Sequence, residues 1–434
     1  MQQLFKNIIL VTCLLTINHF GFSQLYFPPK DVTLPWKTIA PAELNFCQNN
    51  IDSFYTYLED QESKGFILLK DGKIVLEKYF GTFTKDSLWY WASAGKTLTA
   101  FLVGKAQEEK LLSIQESSSN YLGLGWSNCT QEQEDKIKIL HHLTMTTGLN
   151  DEIPDNHCTL KSCLTYKAEP GKHWAYHNAP YTLLESIVTN ATKTTFNEYT
   201  KSKIGSKIAM NGLWIKSNYD NVYFSNLRSM ARFGLLIQNN GIWDSDTLLR
   251  DTNYLKNMIN SSQSINPSYG YLWWLNGKSS YMLPTSQIVI PGSYAPDAPS
   301  DVISAIGKNG QLISLSKSNG LLFVRMGKQK NSGEVSTQFA NSIWKKINSL
   351  VCKTNTLNDN DLESVQIYPN PVNDILHIQH SQSNFKLKLS DISGKVIIEY
   401  KNVNQIDISN LEKGIYLLEL ENEGNLKSVR VIKN

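Results

Sequence analysis

Strand-forming runs occur at residues 66–80 and again at 269–326, with largely helical patterning between them, so any sheet must be begun early and finished late. Phe66-Ile67-Leu68-Leu69 and Ile74-Val75-Leu76 are apolar β formers on either side of Asp71-Gly72, a dipeptide suited to a tight reversal, and 66–80 is predicted to be a hairpin. Leu98, Phe101, Leu102 and Ala106 share one helical face after Ser93, and Met230, Phe233, Gly234 and Ile237 share another. Strand patterning returns at 269–275, 302–306, 312–315 and 321–324, and an amphipathic helix is predicted over 336–350. This order implies an α+β fold: an antiparallel sheet flanked by helices, with a helical subdomain inserted.

A chain of 434 residues is too long for one ordinary core, so more than one domain is expected. Residues 353–363 are polar and read as a linker. Beyond them, short apolar runs at 375–378, 385–389, 396–400, 415–420 and 429–432 alternate with turns at Asn373-Asp374, Ser393-Gly394 and Lys413-Gly414, which predicts a small β-sandwich. At the other end, Lys6, the apolar stretch 8–17 and Gly21-Phe22-Ser23 have the layout of a cleavable signal peptide. That apolar stretch is too short to span a bilayer, and no other segment reads as transmembrane. The expected organisation is a signal peptide at 1–23, a main domain at 24–352, a linker at 353–363 and a second domain at 364–434.

Export permits disulfides, and Cys158 and Cys163, close together in a polar loop, are expected to bridge; Cys47 with Cys352 is a weaker pairing. A net charge of +3 with no basic stripe disfavours nucleic acid as a partner. His173 and His177 have the spacing of a helical zinc pair, but Pro170-Gly171 argues against a helix there, and no third ligand is visible. No metal and no cofactor is expected.

Three short polar clusters carry the chemistry: Ser93-Ala94-Gly95-Lys96, Tyr176-His177-Asn178 and Lys308-Asn309-Gly310-Gln311. A serine hydroxyl is a weak nucleophile until a base takes its proton, and the first two clusters offer Lys96 and Tyr176. On a helix begun at Ser93, Lys96 lies one turn away on the same face. A developing oxyanion needs donors, which the Ser93 N–H and the backbone around Gly310 and Gln311 offer. Each pattern is common alone: Ser-x-x-Lys recurs at Ser314 and Lys317, and Tyr-x-Asn at Tyr219 and Asn221, which has no comparable frame and reads as structural. Order and context select the trio.

In that order the clusters resemble the Ser-x-x-Lys, Tyr-x-Asn and Lys-x-Gly elements of the serine β-lactamase and penicillin-binding-protein superfamily, in its class C branch. The segments 138–149, 228–241 and 269–274 extend the likeness over roughly residues 40–350, toward esterases and aminohexanoate-oligomer hydrolases. The resemblance implies a covalent acyl-Ser93 intermediate, with Lys96 or Tyr176 as base, Asn178 and Lys308 on the substrate, and Gly310 and Gln311 at the oxyanion. Asn309 stands where many relatives have threonine or serine, which favours small esters or amides over β-lactams and D-Ala-D-Ala peptides. The rival from another class is a non-catalytic binding protein with the same fold. Ile367-Tyr368-Pro369-Asn370-Pro371, Asp391-Ile392-Ser393-Gly394-Lys395 and Leu411-Glu412-Lys413-Gly414-Ile415-Tyr416 resemble the C-terminal sorting domain of type IX secretion substrates. That likeness implies the type IX machinery as a partner and a secreted or cell-surface location.

Overall fold

The computed structural model describes residues 25–329, 335–352, 366–379, 385–422 and 425–434. The expected signal peptide and linker lie outside them. The chain divides into two compact units between Val351 and Cys352.

The first unit is built on a six-stranded sheet. Its strands in chain order are β1 (Ser63–Lys70), β2 (Lys73–Tyr79), β3 (Trp274–Leu275), β4 (Ile303–Gly307), β5 (Gln311–Leu315) and β6 (Leu321–Gly327). The spatial order is β2-β1-β6-β5-β4-β3, antiparallel throughout, so the two early strands join the late ones through the β1–β6 pair. Helices α1 (Gln48–Asp60), α2 (Lys96–Glu108), α3 (Asn178–Thr192), α4 (Leu227–Gln238) and α5 (Thr337–Asn348) supply the main packing partners. Phe54 of α1 meets Phe66 of β1 edge-on at 5.0 Å, and Trp344 of α5 meets Phe323 of β6 at 5.3 Å. Gly234 of α4 lies so close to the sheet that a Cβ there would be 2.7 Å from Leu322 and 2.9 Å from Ile313. With both faces covered, central strands such as β5 are buried along their whole length and read as continuous apolar runs.

The structure departs from the sequence reading in two places within this unit. Residues 269–275 form a strand only at Trp274–Leu275, because Leu272 takes a left-handed backbone (φ 63°) and Tyr269 bridges back to Trp274. The stretch 93–240 also contains a hairpin, Gly212–Ser217 with Asp220–Ser225, whose second strand pairs with Trp89–Tyr90. Its apolar residues alternate with polar ones too briefly to interrupt the helical pattern around it.

Arg325 sits in β6 with no solvent exposure. It donates to Ser63 Oγ at 2.9 Å, to the carbonyls of Asn309 at 2.7 Å and Gly310 at 3.0 Å, and to the Gln61 and Lys328 carbonyls. A buried charge is stable only when its donors are all engaged, and these contacts tie the β4–β5 turn to the sheet.

The second unit holds a three-stranded sheet (Gln366–Tyr368, Ile375–Gln379, Gln405–Asp407) and a four-stranded one (Lys386–Asp391, Val396–Lys401, Gly414–Asn422, Asn425–Lys433). Two of these strands, 366–368 and 405–407, are too short to stand out as apolar runs. Val372, Leu376, Leu387, Leu389, Ile406, Leu418 and Val431 form one shared core, as a sandwich requires.

Candidate active site

Ser93 lies in a 3-10 turn, Ala92–Gly95, that runs directly into α2. Ala92 has φ 46°, a left-handed conformation that costs a non-glycine residue about 1–3 kcal/mol, and the strain falls one residue before the serine. The turn is backed by Gly307 at the end of β4. A Cβ at Gly307 would be 2.5 Å from the Trp91 carbonyl oxygen and 2.9 Å from the Ala94 nitrogen. Its φ of −120° suits any residue, so what demands glycine here is the close approach.

Lys96, at the first turn of α2, is 4% exposed. Its Nζ donates to Ser93 Oγ at 3.1 Å and to Asn178 Oδ1 at 2.8 Å. The same nitrogen lies 4.1 Å from the Tyr181 ring centroid and 5.2 Å from that of Tyr176, within cation–π range of both. Tyr176 is buried, stacked on Trp274 at 6.1 Å and edge-on to Tyr269 at 6.3 Å, so the irregular 269–274 segment seats it.

Asn178 begins α3 and uses both ends of its amide. Besides accepting from Lys96, its Nδ2 donates to Asn156 Oδ1 at 3.1 Å and contacts His157 Nε2 at 3.1 Å. His157 Nδ1 in turn lies 2.8 Å from Asp220 Oδ1, at the start of the Asp220–Ser225 strand. An unbroken chain of contacts therefore runs from Ser93 through Lys96, Asn178 and His157 to Asp220. The loop carrying His157 is held by the Cys158–Cys163 disulfide and by the Ala179 N–H, which donates to the Asn156 carbonyl at 2.9 Å. Cys47 and Cys352 are also disulfide-bonded, and Cys129 is a free thiol.

A cavity of about 370 Å³ opens here, lined by Ser93, Lys96, His157, Asn178, Asp220 and Lys308 among others. Of the residues expected from sequence, Ser93, Lys96, Asn178 and Lys308 line it together, and Tyr176 reaches Lys96 through its ring. Gly310 and Gln311 do not line it. Lys308–Gly310 is the β4–β5 turn, and the Gly310 α-carbon faces Phe339 and Arg325, where a Cβ would be 2.7 and 2.9 Å away. The Gln311 side chain clamps Gly327, donating to its carbonyl at 2.6 Å and accepting from its N–H at 3.0 Å. Asn309 turns to the Tyr90 hydroxyl at 2.6 Å. The glycine against the serine turn is thus Gly307, one turn earlier than the motif suggested. Asn178, expected on the substrate, spends its amide on neighbouring side chains instead. Sequence reasoning missed His157 and Asp220, and it read Tyr219 as structural although Tyr219 and Asn221 line the cavity.

His173 and His177, spaced like a metal pair, are engaged or buried apart from any ligand cluster, as is the buried His142. Asp151 accepts from His173 at 2.9 Å, and His142 is buried between Ser118 Oγ at 2.9 Å and the Pro180 carbonyl at 2.7 Å. His177 is buried with neither ring nitrogen hydrogen-bonded. Among the described residues no group of acidic, histidine or cysteine side chains is arranged to hold a metal, and no helix is long and apolar enough to cross a membrane.

Burial disfavours the charged imidazole and lowers His142 and His177 from 6.5 to about 4. Above pH 6.5 both rings are neutral folded or unfolded, and they impose no penalty. As pH falls from 6.5 toward 4, the unfolded chain takes up protons that the folded chain refuses, so stability drops by about 1.4 kcal/mol per pH unit for each ring. Unfolding free energies from urea titrations at pH 7.5 and 5 should therefore differ by several kcal/mol in the direction of acid lability. A flat profile would contradict the burial of neutral rings.

The comparisons with known proteins bear on the family and the fold. Residues 59–334 match the beta-lactamase family model, and residues 366–434 match the secretion system C-terminal sorting domain. No curated protein matches the chain. Among solved structures, it is similar to one described as a "putative beta-lactamase" from Bacteroides dorei, at TM-score 0.56 and 15% identity, covering 70% of this chain and 99% of that one. It is also similar to one described as a "putative 6-aminohexanoate-dimer hydrolase" from Bacillus anthracis, at TM-score 0.55 and 15% identity, covering 75% and 89%. At such identity these likenesses speak to the fold alone. With a family model spanning most of the first unit, the chain belongs to the beta-lactamase family of hydrolases and carries a secretion-system sorting domain after it.

Proposed function

We propose that this protein is an exported serine hydrolase that forms an acyl-Ser93 intermediate on small esters or amides. The observation that carries the reading is the 3.1 Å contact between Ser93 Oγ and Lys96 Nζ at the wall of a cavity. In the proposed reaction Ser93 Oγ attacks the substrate carbonyl carbon, and its proton passes to the Lys96–Tyr176 pair, which acts as a unit. The oxyanion is received by the Ser93 N–H and by the Lys308 N–H. Lys308 is the first peptide donor past Gly307, which packs against the serine turn. Collapse expels the alcohol or amine, which takes the proton back, and water then hydrolyses the ester and frees Ser93.

Asn309 gives no support to a β-lactam-type carboxylate beside Lys308, because its amide is turned to Tyr90. The region 364–434 is proposed as the separable module that the type IX machinery reads, which would deliver the hydrolase to the outer surface or the medium. The test compares short nitrophenyl esters, a cephalosporin and a D-Ala-D-Ala peptide at matched concentrations, with Ser93→Ala as the blank. Ester hydrolysis is expected to dominate. A cephalosporin or peptide preference would overturn the substrate class, and activity retained in Ser93→Ala would overturn the mechanism.

A further inference from the structure

Beyond the serine and lysine, the cavity wall holds a histidine–carboxylate pair that the family motifs do not contain. We propose that His157, fixed by Asp220, is a positioning residue for the Ser93–Lys96 pair, acting through the Asn178 amide. This inference rests on the serine-hydrolase reading above.

Hydrogen-bond direction assigns His157 its role. The Asp220 carboxylate can only accept, so His157 Nδ1, 2.8 Å away, carries the ring hydrogen and Nε2 is left as an acceptor. Nε2 faces the Asn178 Nδ2 at 3.1 Å, and Asn156 Oδ1 is a second acceptor at 3.1 Å. Both acceptors draw the NH2 end of Asn178 toward the loop, which aims its oxygen at Lys96 Nζ, 2.8 Å away. Were the amide reversed, NH2 would meet the lysine donor and oxygen would meet two acceptors. His157 thus helps choose the one orientation that holds Lys96 against Ser93. Its side chain is 36% exposed at the cavity and that of Asp220 is 34%, so neither is there to fill a core.

Removing one of two acceptors leaves an Asn178 N–H short of a partner, a loss that corresponds to about a tenfold effect. Three variants separate positioning from bulk. His157→Leu removes the acceptor. Asp220→Leu keeps the bulk but removes the acceptor that fixes the hydrogen on Nδ1, so the ring is free to carry it on Nε2, where it opposes the Asn178 N–H. His157→Gln restores an acceptor within reach.

The experiment measures the second-order rate of Ser93 labelling by a fluorophosphonate, kcat and KM on a nitrophenyl ester, and the melting temperature of each variant. The expected result is that His157→Leu labels and turns over about tenfold more slowly and Asp220→Leu severalfold more slowly, with KM within about twofold and melting temperature little changed. His157→Gln should recover most of the rate. Asp220→Leu at the wild-type rate, or His157→Gln no faster than His157→Leu, would overturn the inference while leaving Ser93 as nucleophile. A wild type that does not label at all would overturn the serine reading itself, and this inference with it.

Discussion

Replacing Lys96 with alanine is expected to lower kcat/KM by at least about a thousandfold, a loss of about 4 kcal/mol of transition-state stabilisation. Lys96 Nζ donates to Ser93 Oγ, and it links that hydroxyl to Asn178 and to the two tyrosine rings. Without it the Lys96–Tyr176 pair that takes the serine proton is broken, and the Asn178 oxygen loses its Lys96 donor. The fold should survive, because removing a 4% exposed ammonium also removes a desolvation cost. Arginine should not rescue the activity, since a planar guanidinium does not fit a point donor set between two ring faces. Initial rates on a nitrophenyl ester, with circular dichroism as a control for folding, decide the matter. A Lys96→Ala enzyme within tenfold of wild type would remove Lys96 from the proton path.

Gly307→Ala is expected to cost at least about a hundredfold in kcat/KM, because a displacement of about 1 Å at a nucleophile is enough for that. A Cβ 2.5 Å from the Trp91 carbonyl oxygen cannot be accommodated without moving the backbone of the serine turn. Gly310→Ala makes the contrast. That residue has φ 69° and faces Phe339 and Arg325, so alanine there should lower stability by more than about 1 kcal/mol while moving ester hydrolysis much less. Parallel kinetics and thermal melts on the two variants check it. If Gly310→Ala proves the more damaging to catalysis at equal stability, the glycine expected from the motif is the functional one after all.

That pair shows where the sequence was legible and where it was not. Ser93 and Lys96 are local: three residues close one helical turn, so their contact follows from spacing once the turn is placed. Tyr176 and Asn178 are also local, flanking the start of α3. Lys308 of the third cluster does line the cavity, but its glycine was placed three residues late because Lys-x-Gly describes a hairpin turn as readily as a strand edge. The deciding fact is Arg325, a lone charge in the apolar run Leu321–Gly327 that draws the Asn309 and Gly310 carbonyls inward. The sheet itself was readable from its apolar runs, because strands covered on both faces cannot hide. The 212–225 hairpin was not, since its strands are half-exposed and short, and Asp220 was lost with it. His157 gave one faint signal, its place next to Cys158 in a bridged loop that a catalytic chain has reason to hold still.

One covalent bond, between Ser93 Oγ and an acylating or phosphonylating reagent, is the most direct test of a serine nucleophile. Intact mass of the folded protein after fluorophosphonate treatment, followed by peptide mapping, should show a single adduct on the peptide containing Ser93, unaffected by chelator, and none on Ser93→Ala. Equal labelling of Ser93→Ala, or an unmodified wild type that still hydrolyses esters, would contradict it.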